Sequence, residues 1–167
     1  DPAKNELILN IATEALVSLQ KMKAEEGANL QKDLAQRIDA IEGHAAEIES
    51  RHPLVIVEYQ DKLKERIKSL SEGLDLDEAR LAQEAALLAD RCDITEEIIR
   101  LRSHLNQFRS FFNTKEPIGR KLEFITQEIN REVNTTGSKS SDITISNRVI
   151  EMKSELEKIR EQVQNIE

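Results

Sequence analysis

This chain of 167 residues has no tryptophan, one tyrosine, four phenylalanines, one cysteine, five glycines and three prolines. One cysteine excludes an internal disulfide, and Cys92 sits at a helical core phase that suits a small buried hydrophobe. Aromatic poverty beside abundant Ala, Leu, Ile, Glu, Lys and Arg argues against a sheet protein and for helix bundles or coiled coils. No apolar run approaches the roughly 20 residues of a membrane span, and no signal-like start is present. The chain therefore reads as soluble and cytoplasmic. It lacks a P-loop, a dinucleotide glycine pattern and any H-x-x-x-H or Cys/His spacing for zinc. His44 and His52 read as surface or hinge residues.

What is present is helical periodicity and uneven charge. The formal net charge of −8 argues against nonspecific nucleic-acid binding by the chain as a whole. Residues 100–139, however, hold eight Arg or Lys against four Glu, a balance of +4 that leaves −12 elsewhere. Asp1-Pro2 opens a first helix with the apolar stripe Leu7, Ile8, Ile11, Leu16, Leu19 and Met22. After Gly27 a second stripe runs through Leu30, Leu34, Ile38, Ile41, Ala45 and Ile48, as in a helical hairpin. Arg51-His52-Pro53 predicts a break, since the residue before proline avoids the α region. A third helix spans about 54–70, and SEGLDLD forms the next turn.

Asp77 is the expected N-cap of a fourth helix reaching about Asn113. Its apolar phase slips between Cys92 and Ile94, which predicts a break or a change of packing partner near Asp93. Lys115-Glu116-Pro117 separates it from a fifth helix, Ile118 to about Asn134. A sixth runs from about Asp142. Its Ile145, Val149, Met152, Leu156, Ile159, Val163 and Ile166 form a strict a/d seam, which requires a helical partner in this chain or another. The expected fold is all-α: long antiparallel helices in hairpins or a bundle, with a coiled-coil-like C-terminal helix. A hairpin region, 1–74, precedes a C-terminal helical domain, 75–167.

Two polar faces could carry chemistry. Asp93, Glu97, Arg100 and His104 are spaced to share one helix face, and Lys121, Glu128, Arg131 and Glu132 another. Carboxylates can hold a hard divalent ion, His can transfer protons near neutral pH, and Arg or Lys can stabilise phosphate charge. Salt-bridged helix surfaces would explain the same spacing. The stretch QEINREVNTTGSKSSD, residues 127–142, adds amides and hydroxyls that suit phosphate and sugar oxygens. A plainer reading ends the helix there, with Gly137 at C′ and Ser141 or Asp142 capping the next. The spacing of Phe108, Phe111, Phe112 and Phe124 favours core packing over base stacking.

RCDITEEIIRLRSHLNQF (91–108), GRKLEFITQEINREVNTTGSKSSD (119–142) and KSELEKIREQVQNIE (153–167) resemble the YicC-like family of bacterial endoribonucleases. The likeness is closest over residues 84–167. It implies a fragment lacking the family's further N-terminal region, RNA as substrate, and a homo-oligomer, by family resemblance a hexameric ring. It also implies hydrolysis of phosphodiester bonds assisted by a divalent cation, Mn or Mg. The catalytic candidates are Glu97, His104, Glu128 and Glu132, with Glu97, Glu128 and Glu132 as metal ligands. Arg100, Arg131, Asn134, Ser138 and Lys139 are the RNA-binding candidates. The alternatives are a noncatalytic helical module that binds RNA or assists another nuclease, and a purely structural coiled coil.

Overall fold

The structure is a computed structural model, and it describes residues 2–70, 77–114 and 116–166. Five helices follow in order: α1 (Pro2–Leu70), α2 (Glu78–Cys92), α3 (Thr95–Phe111), α4 (Gly119–Lys139) and α5 (Ile143–Val163). The described residues contain no strand, so the fold is all-α. Two compact units divide the chain, residues 1–36 and 37–167. The SEGLDLD turn, and with it the expected boundary at 74/75, lies outside the described residues apart from Asp77.

In the first unit the apolar stripe of Leu7, Ile8, Ile11, Leu16, Leu19 and Met22 is exposed along its length. The helix runs straight through Gly27, where a hairpin turn was expected. A helical glycine costs only about 1 kcal/mol relative to alanine, and good helix formers continue on both sides.

The second unit is a bundle in which α4 packs against both α3 and α5. The middle of α1 completes it. Ile38, Ile41, Ala45 and Ile48 are fully buried, and ion pairs flank this stripe on both sides. Toward α3, Glu49 meets Arg102 at 2.7 Å, and Asp39 and Glu42 each meet Arg109 at 2.6 Å. Toward α5, Arg37 meets Glu155 at 2.9 Å, Glu47 meets Arg148 at 2.9 Å and Arg51 meets Asp142 at 2.8 Å. The residue numbers rise on one side as they fall on the other, so α3 and α5 run antiparallel to α1.

Helix α1 also continues through His52 and Pro53, against the expected break. Proline removes one helical donor but need not end a helix when tertiary contacts hold it. Here Arg51 reaches across the proline to Glu58, with Nη1 and Nη2 at 2.6 and 2.8 Å, while also donating to Asp142. The Arg51 guanidinium holds the Asp142 and Glu58 carboxyls below their ordinary range.

The phase slip is a true break. Helix α2, N-capped by Asp77, ends at Cys92, and the Asp93 carboxylate accepts from the amide (2.9 Å) and hydroxyl (2.6 Å) of Thr95. Those two bonds start α3 and depress the Asp93 carboxyl. The C-terminal seam from Ile145 to Val163 is buried, and α4 is its helical partner within the chain.

Candidate functional site between α3 and α4

The expected helix end near Asn134 does not occur; α4 runs to Lys139 with Gly137 inside it. A Cβ on Gly137 would lie 3.0 Å from Val149 Cγ1, so the glycine serves the close approach of α5, not a C′ turn. The hydroxyls nearby do not stay free as donors. Thr135 donates to the Arg131 carbonyl at 3.1 Å, Thr136 to Glu132 at 2.9 Å and Ser138 to Thr135 at 2.9 Å. Such back-bonding satisfies the hydroxyl donors within the helix itself. Their oxygens keep acceptor capacity.

Three of the four residues predicted to share a face, Glu97, Arg100 and His104, lie on α3, whereas Asp93 falls in the break before it with extended backbone. Glu97 is 5 % exposed, and its Oε1 lies 2.8 Å from Lys139 Nζ. Lys139 also donates to the Asp93 carbonyl at 2.9 Å. One turn on, Arg100 pairs with Glu96 and comes within 4.0 Å of Glu132, itself 5 % exposed. Pairing 97 with 139 and 100 with 132 sets an antiparallel register that puts His104 level with Glu128. The groove thus carries two ion pairs, Glu97 with Lys139 and Arg100 with Glu132, with His104 and Glu128 unpaired among the described residues at the next level.

Two polar atoms in it lack partners. Glu97 Oε2 and His104 Nδ1 are buried with no hydrogen bond. A buried acceptor or ring nitrogen left unsatisfied costs about 1–3 kcal/mol, so each calls for a partner such as a substrate group or a bound water.

The second predicted face divides. Glu128 is half-buried and Glu132 buried toward α3, whereas Arg131 is exposed and Lys121 pairs with Glu116 at 2.5 Å. The exposed Arg131, Asn134 and Ser138 lie on the outward face of α4 with Arg120, Phe124 and Gln127. Phe124 is 61 % exposed, contrary to the expected core role. Phe108 does fill the core, edge-on to Phe112 at a centroid distance of 5.6 Å. Phe124 sits at the outward phase of α4, so aromatic type alone misplaced it.

The proposed metal ligands do not converge in one chain. Among the described residues, no three His, Cys, Asp or Glu side chains form a group able to hold an ion. Glu97 is held by Lys139, and the helical rise offsets it by about 10 Å along the axis from the level of Glu128.

An all-α bundle with a polar, partly unsatisfied groove between two antiparallel helices defines the class of protein. Residues 48–167 match the family described as Endoribonuclease YicC-like, C-terminal. The chain belongs to that family. It is 51 % identical over 162 residues to a protein of Clostridioides difficile named "Probable endoribonuclease YicC". It is 35 % identical over 160 residues to a protein of that name from Haemophilus influenzae. Each alignment covers 96 % of this chain and 55 % of the relative, so the chain spans about half the length of these relatives. Among the described residues, no helix is long and apolar enough to cross a membrane.

Proposed function

We propose that the protein containing this chain is an endoribonuclease that hydrolyses phosphodiester bonds of cytoplasmic RNA in the α3–α4 groove. The observation that carries this reading is the pair of unsatisfied buried atoms, Glu97 Oε2 and His104 Nδ1, beside cations that suit a phosphate. In the proposed reaction Glu128 takes a proton from the attacking water while His104 protonates the leaving ribose oxygen as the P–O bond breaks. Arg100, about half exposed, faces the developing phosphate charge. Buried Glu132 orients Arg100, and Lys139 positions Glu97. Arg131, Asn134 and Ser138 hold the flanking backbone from the outward face of α4.

The function is exercised in a homo-oligomer, which the exposed apolar stripe of residues 7–22 supports. A divalent cation, Mn or Mg, would require ligands from more than one chain or from the further length that the relatives carry. No step above depends on it. The test is cleavage of an end-labelled RNA by the whole protein, with Mn, with Mg and after chelation. Internal cleavage that falls in the His104→Ala and Glu132→Ala variants supports the reading. RNA binding without cleavage under every condition would replace it with the noncatalytic binding module.

A further inference from the structure

We infer that a second cleft, between α4 and α5, takes one unpaired nucleotide of the RNA strand; this rests on the endoribonuclease reading. The cleft has a volume of about 420 Å³, within the range of sites for small ligands. Its floor is Leu156, Val163 and Thr126, the last with its hydroxyl tied to the Leu122 carbonyl at 2.7 Å. Gln127 and Asn130 rise from α4, and Lys153 and Arg160 from α5, with Glu123 and Glu157 at the walls.

What separates this cleft from the α3–α4 groove is that its cations and side-chain amides are uncommitted. Among the described residues, Lys153 and Arg160 form no ion pair, and the side-chain amides of Gln127 and Asn130 form no hydrogen bond. Elsewhere in the bundle Arg37, Arg51, Arg102, Arg109, Lys121 and Lys139 are paired, and the outward-facing Arg120 and Arg131 of α4, like the cleft's cations, are not paired among the described residues. Lys153 and Arg160 stand two helical turns apart, about 10 Å along the axis, so their long side chains reach separate phosphates of one strand more readily than a single phosphate.

The lining is not a plain cationic patch. Two carboxylates balance the two cations, so a bare polyanion gains little from it. A nucleotide fits such mixed chemistry. The amides offer both donors and acceptors to a base edge, and the carboxylates accept from ring or amino N–H groups. A paired base has its Watson–Crick edge occupied, so the cleft selects single strands.

The test measures affinity of the whole protein for a fluorescein-labelled unstructured RNA 12-mer, with a blunt-ended duplex RNA as competitor. Combining Lys153→Gln with Arg160→Gln should weaken binding at least tenfold, and the cleavage defect should lie in KM more than in kcat. The slope of log K against log salt should flatten by about 0.7 per lost phosphate contact. Should that double variant lose its thermal transition, Gln127→Ala with Asn130→Ala, at exposed amides, carries the same test with a smaller expected loss. Wild-type affinity and salt slope in folded variants, with RNA still cut, would overturn the cleft alone. A blunt-ended duplex competing as well as the single strand would also overturn it. Absence of RNA binding and cleavage by the unmodified protein would overturn both the cleft and the endoribonuclease reading.

Discussion

The two long edges of α4 treat charge in opposite ways. Toward α3, the charged side chains are paired and partly buried: Glu97 with Lys139, Glu132 with Arg100. Toward α5, the contact is an apolar seam, and the polar groups at its rim are left without partners. Pairing fixes side chains where chemistry needs precision, whereas unpaired side chains keep the freedom to grip a ligand. A buried pair also turns one charge into a liability once its partner is removed. The contrast makes distinct demands on stability and on activity.

The most severe way to break the contrast is to charge the apolar edge. Leu156→Asp, at a position 4 % exposed, removes seam packing and buries a carboxylate without a counterion. It should cost about 3–5 kcal/mol, read as a lower midpoint in urea denaturation. An unchanged midpoint would mean that the seam is not a packing surface.

On the opposite edge, Lys139→Met strands the buried Glu97 carboxylate. The expected loss is about 1–3 kcal/mol, below that of a fully buried pair because Lys139 is one-third exposed. Adding Glu97→Gln should recover most of it, and a double-mutant cycle measures that coupling. Additive losses would show that the pair contributes nothing.

A smaller effect belongs to Arg51 and Asp142. The Asp142 carboxyl titrates below its ordinary value because the Arg51 guanidinium donates to it. A depressed carboxyl contributes stability that is present above its unfolded pKa of about 3.9 and lost as pH falls through the folded value. Arg51→Ala should therefore lower Tm at pH 7, with a cost of about 1 kcal/mol, and the gap to wild type should close below about pH 4. A gap independent of pH would assign the loss to packing.

The mildest probe is Gly137→Ala. Alanine gains helix propensity of about 1 kcal/mol, while its Cβ would press on Val149 Cγ1 at 3.0 Å. The two effects oppose each other, so Tm should move by only a few degrees. Gly137→Val, which cannot avoid Val149, should destabilise clearly.

Much of this was legible in the sequence, through periodicity above all. The a/d seam of α5 and the phase slip at Asp93 predicted the packing face and the break that the structure contains. The shared α3 face of Glu97, Arg100 and His104 also follows from spacing alone, although Asp93, expected with them, lies in the break. Pattern could not tell whether a stripe finds its partner in the chain: residues 7–22 and 38–48 are similarly apolar, yet only the second stripe is buried. Local breaker signals misled at Gly27, Pro53 and Gly137, because a helix held by packing or ion pairs tolerates a residue that isolated propensity would reject. The α4–α5 cleft was missed for a related reason. Gln127, Asn130, Lys153 and Arg160 look like ordinary solvated residues until two helices bring them to one opening.

The claim that the α3–α4 groove performs the chemistry is tested most directly by His104→Ala. The measurement is the single-turnover cleavage rate at saturating RNA, beside the equilibrium affinity for the same RNA. A lost proton-transfer group should slow cleavage by about 10²–10⁴-fold while affinity stays within a few-fold of wild type. Cleavage at the wild-type rate, or a loss that only tracks reduced occupancy, would contradict the account.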